Sequence, residues 1–186
     1  MSPEHAAICS LPRMFYLTPD DTKFGPKGYN NCVGLLRLLR DIRLPADAVA
    51  AEIGSYAGVS AEMISGFVNH LHCIDPWPAD FGRAAEAELM FDCMRSRHQN
   101  IKKWKQYSHD LAPHFPSESF DLVYIDALHK YERVAGDIND WWSKVKVGGY
   151  LAGHDLHLPG VAKAVRERFG PVATYSDTSW VVRRQA

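Results

Sequence analysis

The stretch that most restricts what this chain can become is Val49 to Ser60, VAAEIGSYAGVS. A short apolar run, Ala48 to Ile53, ends in a turn carrying Gly54 and Gly58, after which Met63, Ile64, Phe67 and Val68 recur at helical spacing. The pattern predicts a strand, a tight turn and a helix. Residues without a Cβ in such a turn let the backbone approach a ligand closely, as in the first unit of many nucleotide-binding α/β folds. The acid at Glu52 narrows the ligand. A pyrophosphate favours a bare helix N-terminus with its positive dipole, and a carboxylate beside it is repelled. A ligand bearing an ammonium and a sulfonium is attracted instead, so the E-x-G-x-x-x-G spacing favours S-adenosylmethionine over NAD.

Further along, Leu71 to Asp75 (LHCID) is a short apolar strand closed by an acid and then by Pro76, Trp77 and Pro78. Asp75 stands about 20 residues beyond the glycine turn, where such folds place an acceptor for ribose hydroxyls. Trp77, next to it, is a candidate cover for the ligand. Gly82 to His98 has helical spacing, and Ile101 to Tyr107 is an edge strand interrupted by three lysines. Phe120 to Asp126 (FDLVYID) is a near-continuous apolar run, as expected of a strand buried on both faces of a parallel sheet. Tyr131, Val134, Ile138, Trp142 and Val145 then follow at helical spacing, with Gly148 and Gly149 expected to stop that helix. This stripe assigns Tyr131 and Trp142 to core packing.

A strand from Tyr150 to Gly153 ends in His154 and Asp155. A short helix with Val161, Val165 and Phe169 on one face comes next, and Val172 to Tyr175 with Trp180 to Arg183 read as a closing hairpin. Alternating strands and helices with a hairpin last imply a doubly wound, three-layer α/β sandwich, mostly parallel.

Upstream, Leu35, Leu36, Leu38, Leu39 and Ile42 form a helical stripe ending before Pro45 and expected to pack on the sheet. Residues 1–30 mix aromatics with Pro19, Gly25, Pro26 and Gly28. They are expected to be an arm, either a peripheral flap or a lid over a ligand, ahead of a single domain from 31 to 186. A chain of 186 residues with 46% hydrophobic content and a formal charge of −1 is an ordinary globular domain. It has no basic excess to suggest nucleic acid or a membrane surface. Cys9, Cys32, Cys73 and Cys93 show no C-x-x-C spacing, and no signal sequence or membrane span is legible, so reduced thiols and a cytoplasmic location are expected.

Four segments together resemble a known family: Glu52 to Ser60, IDPW at Ile74 to Trp77, DLVYIDALHKYE at Asp121 to Glu132, and VGGYLAGHD at Val147 to Asp155. The chain resembles the class I S-adenosylmethionine-dependent methyltransferases, in particular the small branch with metal-assisted O-methyltransferases of sugars and antibiotic precursors. The resemblance implies a Rossmann-like seven-stranded sheet with an antiparallel C-terminal hairpin. It also implies that Glu52, Gly54, Ser55, Tyr56, Gly58 and Ser60 hold the methionine part of the cofactor, that Asp75 holds the ribose, and that Ser108 and His109 border the adenine.

Asp126 and Asp155 fall at the carboxyl ends of adjacent predicted strands, where a pair of acids can hold a divalent cation such as Mg²⁺. Asp155 can equally serve as a structural or substrate hydrogen-bond acceptor. Metal-dependent relatives usually carry a third acid where this chain has His154, and histidine favours softer metals, so Zn²⁺, Mn²⁺ or Fe²⁺ enter with His129, His154 and His157. The candidate metal set is Asp126, His154 and Asp155. Relatives often read IDGDH, with its second acid proposed as the general base; here that position is Leu128. His129 is then either the base for an acceptor hydroxyl, with Asp126 beside it, or a group that orients others near the cofactor.

The function implied is O-methylation of a small hydroxylated acceptor, its pocket built from the arm, nearby loops and in part a neighbouring subunit of a homo-oligomer. The alternatives are a non-catalytic S-adenosylmethionine-binding partner subunit and a nucleotide-dependent oxidoreductase.

Overall fold

Every residue of the run Phe120–Ile125 is buried, and the strand it forms lies at the centre of a seven-stranded sheet. The structure is a computed structural model that describes residues 32–80 and 82–186. The expected arm, residues 1–30, lies outside the described residues. In chain order the elements are α1 (Val33–Asp41), β1 (Val49–Ile53), α2 (Val59–Ser65), β2 (His70–Ile74), α3 (Ala84–Arg95), β3 (Ile101–Trp104) and α4 (Ser108–Leu111). They continue as β4 (Phe120–Ile125), α5 (Tyr131–Trp142), β5 (Val145–Gly153), α6 (Pro159–Phe169), β6 (Ala173–Thr174) and β7 (Trp180–Arg183).

The strand order is β3-β2-β1-β4-β5-β7-β6. The first five strands are parallel, and β7 runs antiparallel to both β5 and β6. The chain winds outward from β1 to β3, then returns and winds the other way from β4. Order therefore reverses between β1 and β4, which is where open α/β sheets bind ligands. One face is covered by Leu35, Leu38 and Leu39 of α1, Ala61 and Ile64 of α2, and Phe91 and Met94 of α3. The other is covered by Val134, Ile138 and Trp141 of α5 and by Val161 and Val165 of α6. These are the three expected layers.

Two expectations are corrected. The helix of α5 stops at Trp142, and Val145 opens a strand rather than extending the helix. Gly148 and Gly149 lie inside β5, where the register with β4 shifts. Gly148 has φ +85, and a Cβ at Gly149 would stand 2.9 Å from the carbonyl oxygen of Asp121. The glycine pair thus serves a bulge and a close backbone approach, not a helix stop. The buried stripe of α5 is also turned by one residue. Trp141 is the fully buried tryptophan, while Trp142 is half-buried against Phe169 and the Tyr131 hydroxyl donates to Glu167.

Helix α1 has no side-chain cap of its own. The turn between β6 and β7 supplies one: the Leu35 N–H donates to Asp177 Oδ2 at 2.7 Å, and the Ser179 N–H donates to Asp177 Oδ1 at 2.9 Å. A Cβ on Gly34 would fall 1.8 Å from that carboxylate, so the glycine makes room for it. No helix among the described residues is long and apolar enough to cross a membrane.

Candidate active site

At the carboxyl ends of β1 and β4 opens a cleft of about 1140 Å³, lined among others by Ser55, Asp75, Ser108, Asp126, His129 and Asp155. The size suits a drug-sized ligand with space beyond it. It has two differently built ends.

The first end is the loop after β1. Gly54 and Gly58 both have positive φ, +90 and +87. A Cβ at Gly54 would stand 2.3 Å from the Asp126 carbonyl oxygen, and one at Gly58 would stand 2.4 Å from the Met94 methyl. These glycines are therefore required by β4 and α3, a stronger constraint than the approach of a ligand. Asp75 then sews the loop to the tip of β2. Its Oδ2 accepts from the Tyr56 N–H at 3.0 Å and its Oδ1 from the Trp77 N–H at 2.7 Å. Burial raises the Asp75 carboxyl, and those two donors work against the rise. Each oxygen keeps a lone pair for a further donor.

Trp77 does not cover the cleft. Its ring is buried against Phe91, and its indole N–H donates to the Tyr56 carbonyl at 2.7 Å, so it props the loop from beneath. Glu52 is displaced in the same sense. It is fully buried on the face of β1 between Cys73 and Tyr124 and does not line the cleft. Burial pushes its pKa up to about 7. Asp75 and Asp126, by contrast, do line the cleft. Ser55 is 2% exposed and lines the cleft, with its hydroxyl turned toward Glu52 beneath it. Tyr56 and Ser60 line the same wall.

Beyond Asp75, at the start of α4, the Ser108 hydroxyl donates to Asp137 Oδ1, and His109 lies exposed at the mouth, 3.4 Å from Asp110. Asp137 was not expected. Its signal was an acid on the stripe of Val134, Ile138 and Trp141, since a buried acid needs a reason. Burial raises it to about 6 against the opposing bond from Ser108.

The second end is a cluster of charged side chains where β4 and β5 stop. His129 Nε2 stands 2.8 Å from Asp155 Oδ2 and 3.8 Å from Asp126 Oδ1. His154 Nδ1 stands 3.2 Å from Asp155 Oδ1, and His157 stands 3.7 Å from the same oxygen. Hydrogen bonds from His129 to Asp126 and Asp155 raise it to about 10. Burial pushes His154 down, but Asp155 and the charge of Asp126 outweigh it and bring it to about 9. Burial works to raise Asp155, yet the two imidazoles hold it well below the usual carboxylate range. Asp155 itself has φ +58. Donor atoms of Asp126, His154 and Asp155 all lie within 4.8 Å of one another, and His154 Nε2 is buried without a partner. Two carboxylates and one imidazole at that separation fit a divalent cation. Leu128, at the position of the expected acid, is 46% exposed at the mouth and offers no proton acceptor.

A family model described as a methyltransferase domain matches residues 51–156. No curated protein matches the sequence. Among solved structures, the O-methyltransferase NovP superposes with a TM-score of 0.60 at 16% identity, covering 88% of this chain and 81% of that one. CalS11, a TDP-rhamnose 3'-O-methyltransferase of calicheamicin biosynthesis, gives 0.59 at 16% identity, covering 98% and 95%. An rRNA methylase from Streptococcus thermophilus gives 0.58 at 14% identity, covering 82% and 95%. At these identities the likeness is one of fold, shared by enzymes that act on very different acceptors. The family match is more telling, because its span runs from Glu52 through Asp155 and so contains both ends of the cleft. The chain belongs to the methyltransferase domain family, as a class I member with a Rossmann-like sheet.

Proposed function

We propose that this protein transfers the methyl group of S-adenosylmethionine to a hydroxyl of a small molecule. One observation carries the reading: a single cleft joins an end with the Gly54–Gly58 loop and the Asp75 carboxylate to a second end where imidazoles and carboxylates converge. When bound, S-adenosylmethionine supplies an electrophilic methyl group. Asp75 would accept the ribose hydroxyls, Ser55 would meet the methionine end, and Asp126 would offer its charge to the ammonium or the acceptor. The backbone lacing of Tyr56, Asp75 and Trp77 holds this end rigid, and rigidity of this kind lowers the entropic barrier to an in-line transfer.

At the other end His129 Nε2 holds a proton against Asp155 and Asp126 and is a cation at neutral pH. In that state it donates to an acceptor oxygen and positions it; once neutral, its Nε2 would take the hydroxyl proton as the oxygen–carbon bond forms and the sulfur–carbon bond breaks. A cation on Asp126, His154 and Asp155 would supply Lewis acidity for the acceptor hydroxyl and draw charge from the two carboxylates that keep His129 protonated. The acceptor is read as small and not as nucleic acid. Asp80, Asp110, Glu132 and Asp140 line the mouth with Arg133 as the one lysine or arginine among the described lining residues, a wall that repels phosphate.

Calorimetry with S-adenosylhomocysteine, followed by thermal melting with and without Mg²⁺, Mn²⁺ and Zn²⁺, tests the donor and the metal together. Donor binding with a metal-dependent rise in melting temperature supports the reading, and absence of any donor binding ends it. A second reading, a cofactor-binding subunit without turnover, draws support from Leu128 and from the protonated His129. It prevails if the donor product binds, no hydroxylated acceptor is methylated, and Asp126→Ala leaves the biological role intact. Membership of the methyltransferase family sets aside the oxidoreductase alternative.

A further inference from the structure

We propose that Trp180 is a positioning residue for the acceptor end: its indole N–H, with the turn between β6 and β7 beside it, pins the main chain of Asp155 so that one carboxylate holds two imidazoles at once. That this end meets the acceptor rests on the proposed function. Asp155 has φ +58, in the left-handed region that side chains with a Cβ avoid. A residue stays there only where its surroundings over-determine it. Peptide units are planar, so the φ and ψ of one residue are set by the two units that flank it. Both units flanking Asp155 are tied to the same hairpin. The His154 carbonyl, in the unit before, accepts from the Trp180 indole N–H at 3.3 Å. The Leu156 N–H, in the unit after, donates to the Thr178 carbonyl at 3.1 Å.

Trp180 is well placed to hold its end of this brace. It is fully buried and lies opposite Gly153 in the register of β5 with β7. A Cβ at Gly153 would stand 2.7 Å from the Trp180 ring, so the glycine lets the indole pass close under the last residue of β5. Thr178 has φ +69, a costly angle for a β-branched side chain. In that conformation its carbonyl meets Leu156 and its hydroxyl stands 3.1 Å from His157 Nδ1. Asp177, next to it, is bonded to α1 through the Leu35 N–H, so the turn has an anchor of its own. With its main chain fixed, the Asp155 carboxylate spans two rings, Oδ2 at 2.8 Å from His129 Nε2 and Oδ1 at 3.2 Å from His154 Nδ1. A relaxed φ would swing it away from them.

Hydrogen exchange of single amides by NMR tests the brace in the wild type, in Trp180→Phe, and in protein with 3-benzothienylalanine in place of Trp180, an isostere whose sulfur replaces the indole N–H. Trp180 is buried, and the phenylalanine variant can fail to fold; the isostere keeps the shape of the ring and then decides. Loss of one hydrogen bond should quicken exchange of the Leu156 amide about fivefold. The Tyr56 amide, held by Asp75 at the donor end, should not change. The imidazole nitrogen signals of His129 and His154 should shift in the same samples. A merely structural Trp180 would quicken both amides alike and leave the imidazoles where they were. An unchanged ratio of the two exchange rates, or imidazole signals that stay in place, overturns this inference alone. Calorimetry with S-adenosylhomocysteine keeps the two readings apart: a wild type that binds none ends the donor reading, while the exchange ratio still decides the brace.

Discussion

The two ends of the cleft are held by different forces. At the β1 end the scaffold is backbone and packing. Two glycines with positive φ are pressed against β4 and α3, Asp75 accepts from two main-chain N–H groups, and the Trp77 indole supports the loop from below. At the β4–β5 end the scaffold is charge, with Asp155 between His129 and His154 and Asp126 close by. Packing holds one geometry, because close-packed neighbours leave no room for a second. A cluster of titratable side chains changes its arrangement with protons, ions and substrate. Under the proposed function, the donor end is thus preformed and the acceptor end is open to adjustment.

That contrast can be broken in four places. The largest effect is expected from Gly54→Ala, which drives a methyl group into the Asp126 carbonyl at a backbone angle that L residues avoid. It should destabilise the protein by several kcal/mol and abolish donor binding, read by thermal melting and calorimetry. A well-folded, donor-binding variant would show that the loop is not locked by packing.

Asp155→Asn removes the anchor of both imidazoles and should reduce methyl transfer by at least about a hundredfold. Affinity for S-adenosylhomocysteine should stay within about threefold, since the donor end does not depend on it. Loss of donor affinity in parallel would mean that the two ends are one unit.

Glu52→Gln sharpens the donor end. The folded-state pKa of Glu52 lies above its unfolded value, so its protonation favours the folded state, fully below about 4.5 and progressively less as pH rises through about 7. The variant mimics the protonated acid. It should gain on the order of 3 kcal/mol at pH 8 and almost nothing at pH 4, measured by urea unfolding. Donor affinity should change little, because the side chain lies beneath the cleft and not in it.

The smallest effect concerns His72, which lies away from both ends. Burial lowers it to about 4, and its Nδ1 accepts from the Trp104 indole at 3.0 Å. Its folded-state pKa lies below the unfolded one, so its stabilising contribution is full above about pH 6.5 and is lost as pH falls toward 4. Titration of its ring by NMR should give a midpoint near 4, and a midpoint near 6.5 would refute the buried neutral imidazole.

The same division explains what could be read from the sequence. FDLVYI announced a strand buried on both faces, and the glycine turn with Asp75 beyond it announced the crevice, because these are local patterns with one common structural solution. Failures came where a local pattern had two solutions or none. Val145 lies three residues past Trp142, a helical interval that a following strand also satisfied. A centrally buried strand gives no alternation, so nothing in AAEI told that the Glu52 side chain points into a packed layer and not to the rim. Asp177 caps a helix 142 residues before it in the chain, and Asp137 meets Ser108 across two elements. Neither pairing leaves a mark in the spacing of neighbouring residues.

The clamp that Asp177 places on α1 also fixes how the molecule can be handled. Cys32, just ahead of that helix, lines the cleft, whereas Arg184 pairs with Gly149, near the end of β5 remote from the cleft. Cys32 and Arg184 thus stand at opposite poles, one beside the cleft and the other on the far side of the sheet. A surface or fusion partner joined at Ala186 would keep clear of substrate traffic, while a probe placed at position 32 would stand at the doorway and report on whatever passes through it.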